Sequence, residues 1–247
     1  MSAVEFHDVH FRIGDRIILN GLTLSIEPGE TLVLLGRSGS GKTTALRLIN
    51  GMILPSSGEI RVDGKTTVEW DRVRLRRGIG YVIQEGGLFP HFTVERNIGL
   101  VPRLENWPEG KVVARVTTLL NSVSLSGGDF ARRLPRELSG GQRQRVGVAR
   151  ALAADPKILL FDEPFGALDP VTRLDLQREF LRLRAEFGKT SVFVTHDVQE
   201  AMKLATRIAL LHEGNLAFIG APAAFEVSPH PEARAFLDVL HEARRAQ

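Results

Sequence analysis

Cysteine is absent from the 247 residues. That excludes structural disulfides and any cysteine-ligated zinc or iron–sulfur centre, and it is compatible with a reducing compartment. Also missing is a run of about 18 apolar residues that could cross a bilayer. The opening MSAVEFHDVH has no basic start followed by an apolar stretch, so no secretory leader is expected. Charge of one sign is not in large excess, with 32 Lys and Arg against 29 Asp and Glu. A surplus of three is too small to argue for a nucleic-acid partner, and none is expected. The basic clusters at Arg72–Arg77 and Arg143–Arg150 lie within helical patterns and read as solvated faces. Internal repeats and low-complexity tracts are lacking. What remains is an ordinary globular composition, 43% hydrophobic, and enough chain for a sizeable core.

The apolar pattern that is present is informative. Val4–Phe11 and Ile17–Ile26 alternate apolar and polar residues around Gly14-Asp15, which predicts antiparallel strands. Thr31–Leu35 is a short continuous apolar run, suited to a strand buried on both faces, and a helix is predicted over Lys42–Asn50. Gly78–Ile83, Lys157–Phe161 and Thr190–Val194 are further buried strands, each preceded by a helical stretch, so a parallel sheet flanked by helices is expected. Between Glu85 and Ala154 the rhythm breaks. Val112, Val116, Leu119, Leu120 and Val123 recur at helical spacing, and a second helix begins near Ser139. A hairpin is expected over Ile208–Ile219, turning at Glu213-Gly214-Asn215. A last helix starts at Pro231 with Phe236, Leu237 and Leu240 on its apolar stripe.

Gly36-Arg37-Ser38-Gly39-Ser40-Gly41-Lys42-Thr43 fits the phosphate-binding loop G-x-x-x-x-G-K-[ST] and lies between a buried strand and a helix. Glycines let successive N–H groups turn inward toward phosphate oxygens, and the following helix adds its unpaired N–H groups and the positive end of its dipole. Lys42 would place a full charge at the β- and γ-phosphates, and the Thr43 hydroxyl would ligate Mg²⁺, with Thr44 beside it among the nucleotide contacts. ATP and Mg²⁺ are therefore the expected ligands. The strand Ile158–Phe161 ends in Asp162, which emerges at the carboxyl edge where ligands bind in open α/β sheets, as a further support for the metal. Glu163 follows and is the candidate base for the attacking water.

Leu138-Ser139-Gly140-Gly141-Gln142 resembles the signature motif of the ABC ATPases, and it precedes Asp162 at the interval that family keeps. The resemblance implies that this helix start faces the γ-phosphate held by the P-loop of a second, head-to-tail copy, while Ser139 caps the helix. Three further positions match. Gln84 resembles the Q-loop glutamine, which senses Mg²⁺ and the attacking water. Asp169, in Ala167-Leu168-Asp169, resembles the D-loop residue at the dimer interface, and Asp169-Pro170 equally reads as an N-cap and first-turn proline. His196 matches the switch histidine at the γ-phosphate. The family often stacks adenine on an aromatic residue where this chain has Ile13. Phe11 points to the same face of an extended strand, so Ile13 predicts a weaker contact and modest nucleotide selectivity.

The resemblance implies an α/β fold, a RecA-like P-loop NTPase parallel sheet with an N-terminal antiparallel β-subdomain and an inserted helical subdomain. Its expected boundaries are 1–84 with 155–220 for the nucleotide-binding core, 85–154 for the helical subdomain and 221–247 for a helical tail. Two stretches, Ile79–Pro102 and Phe161–Asp169, are similar to the ATPases of bacterial quaternary-amine (glycine betaine, carnitine, choline) osmoprotectant importers. That implies a transmembrane permease partner and, indirectly, an extracytoplasmic solute-binding protein, with the chain at the cytoplasmic face of the inner membrane. The apolar residues Leu88, Phe89, Pro90 and Phe92 of Gly86–Phe92 would form the groove for the permease. Paired regulatory domains of that importer family are not expected here, since the sequence stops at Gln247. An exporter-type or lipid-transport ATPase stays open as an alternative. A small-molecule kinase conflicts with the signature and the switch histidine. A DNA-repair ATPase would need a coiled coil for which Lys42 and Asp162 stand too close, and a translation factor would carry two such domains.

Overall fold

The computed structural model describes residues 1–245, apart from the side chains of Glu85, Gly86 and residues 242–245; the last two residues of the expected tail lie outside it. In chain order the first elements are β1 (Val4–Ile13), β2 (Arg16–Ile26), β3 (Thr31–Leu35), α1 (Lys42–Ile49), β4 (Ser57–Val62), β5 (Lys65–Thr66), α2 (Arg72–Arg77) and β6 (Ile79–Val82). Then follow α3 (Val94–Ile98), α4 (Leu100–Leu104), α5 (Glu109–Ser122), α6 (Gly127–Phe130) and α7 (Gly140–Leu152), with 3₁₀ turns at Gln84–Gly87 and Pro135–Glu137. The chain continues through β7 (Ile158–Asp162), α8 (Pro170–Phe187), β8 (Thr190–Thr195), α9 (Val198–Leu204), β9 (Arg207–His212), β10 (Asn215–Gly220), α10 (Pro222–Glu226) and α11 (Pro231–Arg245).

These elements group into two compact units, Met1–Leu75 with the chain from Thr190 onward, and Arg76–Lys189. In the first, β1 pairs antiparallel with β2 and β4, and β4 with β5, giving the order β2-β1-β4-β5. Beside it β3 pairs in parallel with both β8 and β9, and β9 turns back through Glu213-Gly214 into antiparallel β10. All five residues of β3 and all six of β8 are buried, which is why their sequences hold no charge and centre on the apolar runs Leu32–Leu35 and Val192–Val194. Each fully buried Leu or Val contributes about 1.5–3 kcal/mol, so an acidic residue at Leu34 would both forfeit that and strand a charge. Register sets Leu35 opposite Thr195. The segments that leave these strands, at Gly36 and His196, therefore start side by side on the carboxyl edge.

In the second unit β6 and β7 pair in parallel, Val82 opposite Phe161, and every element between them is helical. Val112, Val116, Leu119 and Leu120 form the buried face of α5. Asp169 caps α8, accepting from Thr172 N at 3.0 Å, and these bonds hold its carboxyl below the usual carboxylate range. Pro170 opens the helix and Gly188, in the left-handed region, closes it.

One expectation fails for four of the seven arginines in these two clusters. Arg72, Arg74 and Arg76 of α2 are exposed, as expected, but Arg77 is half-buried and donates to Leu104 O and to the Glu105 carboxylate, each at 3.1 Å. Arg143, Arg145 and Arg150 of α7 are half-buried and satisfy backbone carbonyls, of Leu138 at 2.7 Å, Val123 at 3.0 Å and Gly87 at 2.8 Å respectively. Arg145 also pairs with the buried Glu179. Burial pushes the guanidinium pKa of Arg145 and Arg150 down, and the carbonyls they serve lie at loop ends where no helix or strand supplies a donor.

Candidate nucleotide-binding site

The loop after β3 is built for an anion. Gly39 and Gly41 lie at φ +82° and +101°, and Gly41 stands at the N-cap of α1 with no side chain bonded to that helix end. The first-turn N–H groups are therefore not consumed by a cap. Neither end of the loop has room for a Cβ. At Gly36 it would meet Leu211 O at 2.3 Å, and at Gly41 Leu19 Cδ2 at 2.6 Å and Ile18 O at 2.9 Å. Lys42 is only 5% exposed, and its ammonium donates to Gly36 O at 2.7 Å and Arg37 O at 2.8 Å, across the loop. Ser40 N donates to Arg37 O at 3.2 Å, while the buried Ser40 Oγ has no protein partner. An orphaned hydroxyl costs about 1–3 kcal/mol unless it meets a ligand, and a phosphate oxygen is a suitable acceptor. Arg37 and Ser38 are exposed, and Thr43 and Thr44 are half-buried at the start of α1.

His196 is exposed on a braced connection beside this loop. Thr195 Oγ1 donates to the buried Glu200 at 2.7 Å and accepts from Asp197 N at 3.0 Å. Asp197 in turn caps α9, accepting from Gln199 N at 2.8 Å and Glu200 N at 3.3 Å. The histidine is thus fixed between a strand end and a helix cap. Ile13, on the β1–β2 hairpin opposite Arg16, is 66% exposed. Phe11 is half-buried and lines an open hollow of about 390 Å³ together with His10, Arg12, Ile17 and Leu19. Between Phe11 and Arg12 the register shifts, so simple alternation does not carry from Phe11 to Ile13.

The carboxylates belong to the second unit. Asp162 ends β7 and accepts from the Tyr81 hydroxyl at 3.1 Å. Glu163 sits at φ +46°, a left-handed conformation that costs an ordinary side chain about 1–2 kcal/mol. Its O accepts from Gly166 N at 3.2 Å, closing the turn. A Cβ built on Gly166 would stand 3.7 Å from Glu163 Oε2 and 3.9 Å from Gln84 Nε2, so the glutamine and the glutamate converge on one glycine. The β6–β7 register brings them together, since each leaves its strand at the same end. Tyr81 and Gly166 were not singled out from the sequence. The only tyrosine of the chain, set in an otherwise apolar strand, was the available signal.

At the start of α7, Ser139 Oγ accepts from Gln142 N at 3.3 Å and the Gln142 side chain accepts from Ser139 N at 2.9 Å. This reciprocal capping box holds the helix start, with Ser139 exposed and Gly140 and Gly141 following. Past Gln84, Phe89 is 43% exposed and stacks with Phe92 at 5.3 Å between ring centres. It lines an open hollow of about 290 Å³ with Leu100, Val101, Ala154, Arg76 and Arg77. Leu88 and Phe92 are half-buried.

Among the described residues no cluster of three or more His, Cys, Asp or Glu forms a metal site. The Thr43 hydroxyl of the first unit, and the Asp162 and Gln84 side chains of the second, are oxygen donors of the kind that Mg²⁺ takes. Among the same residues no helix is long and apolar enough to cross a membrane.

Comparison with known proteins agrees with this arrangement. The glycine betaine/carnitine/choline transport ATP-binding protein OpuCA of Bacillus subtilis (strain 168) is 53% identical over 209 residues, 85% of this chain and 55% of that protein. The chain thus spans about half the length of that relative. The glycine betaine uptake system ATP-binding protein YehX of Escherichia coli (strain K12) is 45% identical over 226 residues, 92% of this chain and 73% of that one. A solved dimeric ATP-binding cassette, in a post-hydrolysis state bound to ADP and Pi, matches with a TM-score of 0.78 at 35% identity, covering 89% of this chain and 98% of its own. The fold is accordingly the RecA-like α/β fold of an ABC ATPase domain. The sequence profile of the ABC transporter family matches residues 19–166. With that profile running from β2 through the P-loop and the signature turn to Gly166, the chain belongs to the ABC transporter family.

Proposed function

We propose that this chain is the ATP-hydrolysing subunit of an importer for a quaternary-amine osmoprotectant, catalysing ATP + H₂O → ADP + phosphate. The observation that carries the reading is the loop after β3, whose buried Lys42, orphaned Ser40 hydroxyl and Cβ-excluding glycines suit a polyphosphate and little else. The P-loop N–H groups and Lys42 hold the phosphates. Thr43, Asp162 and Gln84 are the residues that would hold Mg²⁺, which when bound would neutralise phosphate charge. Glu163, fixed by its turn, takes a proton from the attacking water, and His196 stabilises the charge that develops on the γ-phosphate oxygens. Little covalent work falls to the protein; positioned charge does most of it.

On this reading Ser139, Gly140, Gly141 and Gln142 of one protomer face the γ-phosphate of its partner, and Asp169 lies at the seam between them. Closing that pair moves the helical segment 85–154, and the hollow beside Phe89 passes the motion to the permease at the cytoplasmic face of the membrane. A periplasmic or surface solute-binding protein would feed that permease. The quaternary-amine assignment is supported by the identity to OpuCA and YehX. The test is transport itself: membrane vesicles containing the permease and solute-binding protein, loaded with this subunit, accumulate labelled glycine betaine only with Mg·ATP. Hydrolysis without uptake of any quaternary amine overturns the substrate, and absence of hydrolysis overturns the enzyme.

A further inference from the structure

Helix α11 has no part in the mechanism above, yet its first turn reaches the P-loop. Glu232 is nearly buried, and Arg37 Nε donates to its Oε1 at 2.7 Å. Its Oε2 lies 3.5 Å from Arg37 Nη2 and 3.5 Å from His212 Nδ1 at the end of β9. The Glu232 N–H donates to His230 Nδ1 at 3.2 Å, and His230 N donates to Ser228 Oγ at 3.3 Å. The carboxylate is thus set by its own turn on one side and by a strand end on the other. Ala233, Leu237 and Leu240 anchor the helix behind it.

What the carboxylate grips matters because of the backbone it is attached to. The Arg37 carbonyl accepts from both Lys42 Nζ at 2.8 Å and Ser40 N at 3.2 Å. A residue whose side chain is tied to α11 therefore supplies the oxygen on which the P-loop lysine rests. We propose that Glu232 is a positioning residue: through Arg37 it fixes the P-loop turn and the place of Lys42, and so sets the affinity for the phosphates of the nucleotide. The nucleotide part rests on the ATPase reading; the fixing of the loop does not. Charge-assisted pairs of this kind are about twice as strong as neutral ones, and a nearly buried carboxylate stripped of its arginine would pull the turn away from its present geometry.

The test uses the full chain with Glu232→Ala, the near-isosteric Glu232→Gln, Arg37→Ala and the double variant Arg37→Ala/Glu232→Ala. Without nucleotide, hydrogen exchange at the amides of residues 36–43 should quicken at least fivefold in Glu232→Ala and at least twofold in Glu232→Gln, while β3 keeps its rates. The Kd for Mg·ATP should rise five- to tenfold in Glu232→Ala and in Arg37→Ala, and the double variant should be no worse than either. Turnover of Glu232→Ala at saturating ATP should fall less than twofold. Unchanged exchange in Glu232→Gln and Glu232→Ala overturns the proposal, as do additive losses in the double variant. A loss confined to Arg37→Ala also overturns it and assigns that guanidinium to the ligand directly. Glu232→Gln decides the matter should Glu232→Ala fail to fold. Lys42→Ala reports separately on the ATPase reading, so failure of one is not mistaken for failure of the other.

Discussion

Two glycine-rich turns open helices in this chain, and they treat the helix N-terminus in opposite ways. At α1 the N-cap is Gly41, left-handed and without a side chain, so no N-cap side chain bonds to that helix end. At α7 the N-cap is Ser139, and the capping box with Gln142 uses N–H groups at both residues. The glycines differ as well. Gly36 and Gly41 are walled by backbone and by Leu19; in the second turn a Cβ on Gly140 would find ordinary contact with Leu168 at 3.6 Å, while one on Gly141 would meet only the Thr172 side chain, its methyl at 2.5 Å. The first turn leaves its helix end without a side-chain cap, and the second closes its own with a capping box, as the proposed division between nucleotide cradle and partner-facing cap requires. That division suits a phosphate gripped by one chain and completed by another.

The largest expected effect probes both turns at once. Glu163→Gln keeps size and hydrogen bonding but removes the base, so hydrolysis should fall roughly 10²–10⁴-fold. Unhydrolysed ATP should then hold two chains together, seen as a dimer by size exclusion with Mg·ATP and a monomer with ADP, because a ligand that favours the dimer shifts the population toward it. A monomer at saturating Mg·ATP, also with permease present, would break the comparison. Next, Lys42→Ala removes a charge-assisted contact of about 1.5–3 kcal/mol, and titration with a fluorescent ATP analogue should show a loss of roughly 10–150-fold. Gly41→Ala should lower both thermal stability and ATP binding, while Gly140→Ala leaves monomer stability and monomer ATP affinity close to wild type. Equal damage from the two substitutions would erase the distinction between cradle and cap.

Smaller effects sharpen it. Ser139→Ala removes the acceptor of the capping box, worth about 1 kcal/mol, and calorimetry should record a Tm lower by about 2–4 °C. Ile13→Tyr adds a ring at the proposed adenine position, and a gain near 1 kcal/mol should tighten ATP binding about fivefold over GTP. No change there would pass the base-stacking role to Phe11 or another residue in the hollow beside it.

The legible parts of the molecule are those whose causes are local. Strand β3 was readable because burial on both faces leaves no polar residue to interrupt it, and the P-loop because glycine spacing, lysine and hydroxyl are chemically required within eight consecutive positions. Asp169 and Pro170 were readable as a cap because a cap is a four-residue event. The two arginine clusters show the limit. Both place arginines on helices, yet Arg72, Arg74 and Arg76 of α2 face water while α7 feeds its guanidinium groups to carbonyls of Leu138, Val123 and Gly87. Residue type and helical context alone do not separate the two cases, because what decides is which loop ends lie within reach.

The sequence by itself therefore determined the class of fold, the phosphate cradle and the order of the motifs, since periodicity and short-range chemistry act through neighbouring residues. Only the tertiary structure decided which side chains brace those motifs. Tyr81 reaches Asp162, Gly166 gathers Glu163 and Gln84, and Glu232 reaches back to Arg37 across 195 positions. The physical reason is the same in each case: a hydrogen bond or ion pair depends on a separation of about 3 Å in space, and chain distance carries no information about it until the strands are in register.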